Sequence, residues 1–315
     1  MSAILAYKNF CFEPRADAAE LTGTFAAANP LSNLLTSRLG ELAIASTAGA
    51  VNTFEVTLIE GSPTTGVPVR VVAILNHNII SFPPNFPNPF NVSVTDVAGR
   101  SYGPDMTAAD ILNIGHDGSF QNHLILILPE APYPNIPDPG NLPVNMSEIY
   151  KVNVGIGADV VCGIRDPYTG EETIQPFSAG GIWAGPIFQP ENGIAVNIFS
   201  QGVIDPSRVA RSVGGQVWSS PEERVRKGSI GFAGLFEREV YALAPTQSLQ
   251  QLAAHCGTSR PILVIPVSSD TELMYFQAIY GYADSVPKWS TTDKVIDAGA
   301  LVRLYTGTLD LTEAK

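Results

Sequence analysis

Short apolar segments recur along this chain of 315 residues, and their two-residue period constrains the fold more than any other feature. Residues 149–156 (IYKVNVGI) alternate in polarity, which is the pattern of a half-buried β-strand. Residues 69–78 (VRVVAILNHN) and 260–267 (RPILVIPV) are more continuously apolar, as buried strands are. The 28 glycines and 25 prolines suit many turns between short strands. The pattern predicts a mainly β protein.

Changes in this pattern divide the chain into three predicted regions. We predict an N-terminal arm and linker in residues 1–40. We predict an antiparallel β-sandwich of the jelly-roll or galactose-binding-like kind in residues 41–235. Residues 129–143 (PEAPYPNIPDPGNLP) hold six prolines, which favours a long surface loop of the sandwich, with a domain linker as the alternative. Residues 236–315 predict a small α+β region packed on the sandwich.

Two segments favour helix over strand. Residues 17–28 are rich in alanine and predict a helical turn. In residues 246–256 (TQSLQQLAAHC), Leu249, Leu252 and Cys256 recur at helical spacing. A hydroxyl residue can cap the start of this second helix, and a glycine follows its end.

The composition limits the classes of partner. Charged residues make up 15% of the chain and hydrophobic residues 45%, which favours a folded surface partly covered by other protein. The net charge of −12 excludes binding to the nucleic-acid backbone, which needs clustered Lys and Arg. No apolar run has the length of a membrane span, and the N-terminal residues lack the pattern of a signal peptide.

The residue types that carry catalytic chemistry are dispersed in the sequence. Cys11, Cys162 and Cys256 lack CxxC spacing, which argues against a disulfide scaffold or zinc site and favours synthesis in a reducing compartment. The four histidines lack the spacing of a helical zinc site, and no nucleophile elbow or phosphate-binding loop occurs. We therefore predict no metal, no cofactor and no enzymatic activity.

One acidic turn leaves a catalytic alternative open. Asp166, Glu171 and Glu172 cluster in the segment RDPYTGEE. Paired carboxylates held several ångströms apart across a cleft can hydrolyse glycosidic bonds. The hydrolase hypothesis requires such a cleft, whereas an ordinary solvated turn has the same sequence.

Aromatic residues near the prolines are candidates for contact surfaces. Proline restricts an unbound loop, so docking costs less conformational entropy. The predicted interface residues are Phe82, Phe86, Phe90, Tyr133 and Ile136. A separate hypothesis assigns saccharide stacking to Trp289 and Phe86, because the C–H groups of a sugar ring pack against an aromatic face.

Five segments, none of them a catalytic motif, follow one another in a characteristic order. They are residues 29–46 (NPLSNLLTSRLGELAIAS), 72–79 (VAILNHNI), 181–194 (GIWAGPIFQPENGI), 211–218 (RSVGGQVW) and 249–284. This order resembles a group of tailed-bacteriophage virion proteins, especially tail-tip or baseplate components with a galactose-binding-like β-sandwich. Residues 129–143 depart from that pattern and look like an insertion.

The resemblance implies a non-enzymatic virion structural protein, made in the host cytoplasm and built into the tail tip or baseplate. Its expected partners are other copies of itself and neighbouring tail proteins. The acidic net charge predicts that self-association depends on salt. The alternative function is a glycan- or receptor-binding module for host attachment, with a host surface glycan as the partner.

Overall fold

The computed structural model describes the chain in thirteen ranges. They are residues 2–58, 65–81, 90–103, 123–128, 146–166, 169–190, 199–205, 207–211, 217–220, 224–241, 248–267, 278–297 and 300–314.

Strands dominate these ranges. In chain order they are β1 (Ser2–Ala6), β2 (Asp17–Thr22), β3 (Ala43–Ile44), β4 (Asn52–Thr57), β5 (Val71–Leu75), β6 (Ile79–Ser81), β7 (Phe90–Asp96), β8 (Ser101–Tyr102), β9 (His123–Ile127), β10 (Ile149–Ile156), β11 (Val161–Arg165), β12 (Glu172–Ile174), β13 (Ser178–Ala179), β14 (Gly181–Gly185), β15 (Phe199–Ile204), β16 (Arg208–Arg211), β17 (Val217–Ser220), β18 (Val225–Phe236), β19 (Pro261–Val267), β20 (Ile279–Ala283), β21 (Lys288–Asp297) and β22 (Ala300–Glu313). The helices are α1 (Glu237–Tyr241) and α2 (Leu249–Cys256), and short 3-10 turns cover Phe10–Phe12 and Leu31–Leu35.

Residues 8–187 form one compact unit, which we call the sandwich unit. Its larger antiparallel sheet has the strand order β2–β4–β10–β7–β8, and a second sheet has the order β14–β5–β9. Phe54 and Val152 of the larger sheet and Ile74 and Ile182 of the second are buried in one shared core. Two antiparallel sheets on either side of one core make a β-sandwich, so the predicted mainly β, sandwich fold class is confirmed.

Residues 1–7 and 188–315 form the other compact unit, which we call the sheet unit. Its antiparallel sheet has the order β1–β19–β20–β22–β18–β15, and β21 also pairs with β22. Val240 of α1 and Leu252 of α2 pack with Phe232 and Leu309 of the strands in a second core. We call the side of the sheet that faces this core the core face.

Helix α2 begins and ends as its sequence predicts. The hydroxyl oxygen of Ser248 accepts a hydrogen bond from the Gln251 amide at 3.3 Å, which satisfies one free donor of the first turn. Gly257 follows the helix with a positive φ of 51°, which glycine adopts without the steric cost of a side chain. Among the described residues, no helix combines the length and apolar character that a membrane crossing needs.

The two units divide the chain differently from the three predicted regions, 1–40, 41–235 and 236–315. β1 pairs antiparallel with β19 along its whole length, so residues 1–7 belong to the sheet unit. β15 pairs with β18, which pairs in turn with β22, and this brings residues 188–235 into the sheet unit as well. Strand pairing over long sequence separations, which the local period does not reveal, sets these boundaries.

The alanine-rich residues 17–28 do not form the predicted helical turn. Their first part is β2, which pairs with β4 at the edge of the larger sheet. The predicted proline-rich loop at 129–143 lies outside the described residues.

Candidate functional site

The sheet unit has a polar surface opposite its core face, which we call the open face. In β22, Tyr305, Leu309 and Leu311 are buried in the core, and the residues between them point to the other side because successive strand side chains alternate. Directly opposed residues of antiparallel neighbours share a face, which extends the open face to β18, β21 and β15. Its polar residues are Ser200, Lys227, Ser229, Lys288, Ser290, Thr306, Thr308, Asp310 and Thr312.

Two shallow grooves are associated with this face. The first, of about 420 Å³, lies across β18, β22 and β21 and is lined by Gly231, Ser290, Thr306, Thr308 and their neighbours. The second, of about 380 Å³, lies across β15, β18 and β22 and is lined by residues that include Ser200 to Ile204, Lys227 to Ser229 and Asp310. Small side chains and glycines leave these grooves open to solvent.

Lys227 on the open face is paired with a carboxylate. The Lys227 Nζ lies 2.7 Å from a carboxylate oxygen of Asp284, and the Thr312 hydroxyl donates to the other oxygen at 2.6 Å. Burial alone would raise the pKa of Asp284, but the hydrogen bonds from Lys227 and Thr312 outweigh it and lower that pKa. The hydrogen bond to Asp284 raises the pKa of Lys227. Hydroxyls that both donate and accept, beside paired charges, suit a neutral ligand rich in hydroxyl groups.

Trp289, the predicted stacking residue, borders the first groove but points to the core face. It lies opposite Gly307, and its ring packs against the buried cluster of the sheet unit. The indole N–H donates a hydrogen bond of 3.0 Å to the Tyr241 hydroxyl, which fixes the orientation of the ring. The ring is half-buried, and these contacts are with other residues of the sheet unit. The stacking role of Trp289 stays a prediction.

Large aliphatic side chains are exposed on strands of both units. In the sandwich unit, β11 pairs with β12, and the exposed fractions of Ile164 and Ile174 are 57% and 67%. Ile174 lies opposite Gly163, the neighbour of Ile164, so the two isoleucines point to opposite faces of this hairpin. In the sheet unit, Val203 and Ile204 of β15 are exposed to 53% and 41%.

The other predicted interface residues fall in two groups. Phe90 is the first residue of β7 and is almost completely buried in the core of the sandwich unit, which corrects its assignment to an interface. Its apolar ring sits on the inward side of an alternating strand, where no partner can reach it in the folded unit. Phe82, Phe86, Tyr133 and Ile136 lie outside the described residues.

The acidic turn is a structural hairpin turn. The Asp166 carboxylate accepts a hydrogen bond of 2.9 Å from the Thr169 amide, and the Asp166 amide donates to the Glu171 carbonyl at 2.8 Å. Glu172 is exposed on β12. These contacts give the Asp166 carboxylate a role in the turn. The described part of the chain contains no group of three His, Cys, Asp or Glu that could hold a metal ion.

All three cysteines are free and buried. Burial raises the pKa of the Cys162 and Cys256 thiols to about 12 and raises the pKa of Cys11 as well. The Cys256 thiol donates to the Tyr7 carbonyl at 3.2 Å. These thiols behave as small core side chains.

The residues of the open face and of β15 were not among the predicted site residues. A signal for the open face exists in the segment TGTLDLT (residues 306–312), where polar and apolar residues alternate with unusual regularity. The sequence gives no comparable signal that Val203 and Ile204 are exposed, because the segment FSQGVI has the composition of an ordinary strand.

No protein-family model and no curated protein matches this chain. Two matching solved structures are both of CpGH89CBM32-4, produced by Clostridium perfringens. The selenomethionine-labelled form is 18% identical, with a TM-score of 0.34, and the match covers 57% of this chain and all of that one. The complex with glcNAc-alpha-1,4-galactose is 16% identical, with the same TM-score, and the match covers 57% of this chain and 94% of that one. At this TM-score the likeness carries no argument about ligands.

Proposed function

We propose that this chain is a non-catalytic structural subunit of a tailed-phage virion, which assembles in the host cytoplasm into the tail tip or baseplate. It contacts further copies of itself and neighbouring tail proteins. The observation that carries the assembly role is the exposure of large aliphatic side chains, with Ile164 and Ile174 on one hairpin and Val203 and Ile204 on β15. Covering solvent-exposed apolar side chains with a partner surface is favourable in free energy.

The chemistry of the described ionisable groups supports a non-catalytic role. The Asp96 carboxylate accepts a hydrogen bond from the Arg100 amide and forms an ion pair with the Arg100 side chain. Glu313 forms an ion pair with buried Arg226. The Glu239 carboxylate accepts a hydrogen bond of 2.7 Å from the Phe236 amide. Each of these carboxylates is engaged in a contact that stabilises local structure. The order of the segments that resembles phage tail proteins supports the virion assignment.

The test is the mass of the purified protein in solution, measured by light scattering from about 0.01 M to about 1 M salt. Over this range the Debye length falls from about 30 Å to about 3 Å, so repulsion between chains of net charge −12 is progressively screened. We expect a closed oligomer whose population rises with salt. A monomer at every salt and protein concentration would overturn the assembly role.

A second candidate function is glycan binding for host attachment, favoured by the first groove. Its serine and threonine hydroxyls can donate and accept hydrogen bonds with the hydroxyl groups of a sugar ring. A glycan array with the full chain tests this function, and Thr306→Val with Thr308→Val, which remove two hydroxyls, should reduce any signal at least tenfold. An array without signal above background would exclude this function for the glycans tested.

A further inference from the structure

Sheet edges in this protein differ in how they are protected from pairing with other strands. A strand at the end of a sheet presents unpaired backbone N–H and C=O groups, and proteins block such edges with charge, irregular register or a cover. β21 carries four charged residues and a register shift between Thr291 and Lys294. β2 carries Asp17 and Glu20, with a register shift between Glu20 and Thr22.

β1, at the opposite end of the sheet from β15, is protected by burial. Ile4, Leu5 and Ala6 are buried, and Leu5 exchanges hydrogen bonds of 2.8 and 2.7 Å with Phe188. In the sandwich unit, the edge strand β12 is only three residues long and includes Glu172. These strands therefore have one of the usual protections.

β15 has none of them. It is the terminal strand of its sheet among the described strands, and its six residues (FSQGVI) include no charge and no proline. Its pairing with β18 runs from Phe199 to Ile204 without a register shift, so the strand is regular. Ser200, Gly202, Val203 and Ile204 are all exposed, so neither face of the strand is covered.

A second copy of this chain fits this edge. Two copies carry the same net charge of −12 and repel each other, so a contact forms best at an uncharged stretch. Asp205, the acidic residue next to β15, lies 3.4 Å from Arg224, and its hydrogen bonds with Ser207, together with this contact, lower its pKa. Pairing two identical strands antiparallel about a two-fold axis satisfies both edges with a single kind of contact.

The residues of β15 match one another in such a pair. With the axis at Gly202, Gln201 of one copy lies opposite Val203 of the other, and Ser200 lies opposite Ile204. No like charges meet, and both aliphatic side chains gain a cross-strand neighbour. Gly202 has no atom within 4 Å of the position where a Cβ would lie, so the strand can approach its copy closely and also accepts a test substitution.

We propose that β15 pairs antiparallel with β15 of a second copy, which joins the two sheet units into one continuous sheet. This inference rests on the proposed assembly function and names one contact through which the copies meet.

The test compares Val203→Lys and Ile204→Lys with Val286→Lys by mass measurement in solution. Val286 is 49% exposed in the segment between β20 and β21, so the control adds the same charge to the same unit away from β15. We expect the oligomers of both β15 variants to have a dissociation constant at least tenfold higher than that of the wild type. The oligomer of the control variant should have the wild-type dissociation constant. Because both β15 side chains are exposed, the variants should fold normally, which circular dichroism checks.

A covalent readout addresses the same contact. Gly202→Cys should form a disulfide-linked dimer under mild oxidation, because directly opposed residues of antiparallel strands lie within reach of a disulfide. Ser285→Cys, at an exposed position in the segment between β20 and β21, should not. The three native thiols are buried and contribute little background.

The outcomes separate the inference from the proposed function. An oligomeric wild type whose mass is unchanged by both β15 variants, with no cross-linking through Gly202→Cys, would overturn the β15 contact and leave the assembly function standing. A wild type that is monomeric under all conditions would overturn both. A loss of the oligomer in the β15 variants alone supports both.

Discussion

Asn9 shows how a single side chain orders the backbone of the sandwich unit. Its amide nitrogen donates to the Ile182 carbonyl at 2.9 Å, and its amide oxygen accepts from Ala184 at 2.9 Å and from Cys11 at 3.1 Å. The residue is buried, so water cannot replace these bonds if the side chain is removed. It therefore ties the first 3-10 turn to β14.

Asn9→Ala should lower the free energy of unfolding of the sandwich unit by about 2–3 kcal/mol, because it leaves buried backbone groups of Ile182 and Ala184 without their partner. Urea denaturation followed by circular dichroism measures this. The control is Asn33→Ala, which removes one half-buried bond of 2.9 Å to the Leu42 carbonyl and should cost about 1 kcal/mol. Equal losses in the two variants would contradict the role of Asn9.

The thiols should be unreactive in the folded protein. A pKa of about 12 for Cys162 and Cys256 leaves roughly one thiolate in ten thousand at pH 8, and burial also excludes the reagent. Because a raised pKa disfavours the reactive anion, labelling by iodoacetamide should stay negligible up to pH 9. In urea all three cysteines should react within minutes, and mass spectrometry counts the labels. Rapid labelling of the native chain would show that the core opens.

Among elements, the β11–β12 hairpin depends on a close backbone approach at Gly163. A Cβ there would lie 2.0 Å from the Thr173 carbonyl oxygen on the paired strand. At Gly155 in β10, a Cβ would lie 3.6 Å from the Thr53 side chain, an ordinary contact.

Gly163→Ala should therefore separate β11 from β12 and lower the stability of the sandwich unit by about 1–3 kcal/mol, the usual cost of a forced steric clash. Gly155→Ala should match or slightly exceed wild-type stability, because it reduces the entropy of the unfolded chain. Hydrogen exchange of residues 161–174 shows whether the hairpin has opened. If both substitutions had the same effect, the close approach would have no consequence for stability.

The sequence predicts elements well where a local period coincides with burial. β10 and α2 follow their patterns, since the inward side chains of each recur at the strand or helix period. It predicts them poorly where composition alone is used: the alanine-rich residues 17–28 predict a helical turn, but β2 forms in their first part because β4 offers a partner. Phe90 was assigned to a proline-rich surface segment, whereas the alternation of β7 buries it.

On the scale of the whole molecule, the sheet unit is assembled from distant parts of the sequence. β1 contributes five residues that pair with β19 more than two hundred and fifty positions later. No local signal encodes such a partnership, and the predicted boundaries at 40/41 and 235/236 therefore differ from the units. The open face was missed for a related reason, because it exists only once β15, β18, β21 and β22 are aligned.

This division predicts that the sandwich unit is autonomous and the sheet unit is not. A fragment of residues 8–187 should show a β-type circular dichroism spectrum and one cooperative urea transition, since its core is complete without the rest. A fragment of residues 188–315 lacks β1 and should be less stable than the sheet unit of the full chain. Adding a peptide of residues 1–7 should raise the stability of this fragment. If that peptide had no effect, β1 would not be needed to complete the sheet.

The pairing of β1 with β19 also orders events on the ribosome. At roughly 5–20 residues added per second, β19 emerges on the order of ten to fifty seconds after β1 has been made. In that interval the sandwich unit can finish folding, whereas Ile4 and Leu5 remain without β19, the strand with which β1 pairs. A chain interrupted before residue 267 keeps this apolar strand unpaired, so a cellular protease or chaperone can distinguish an unfinished product from a complete one.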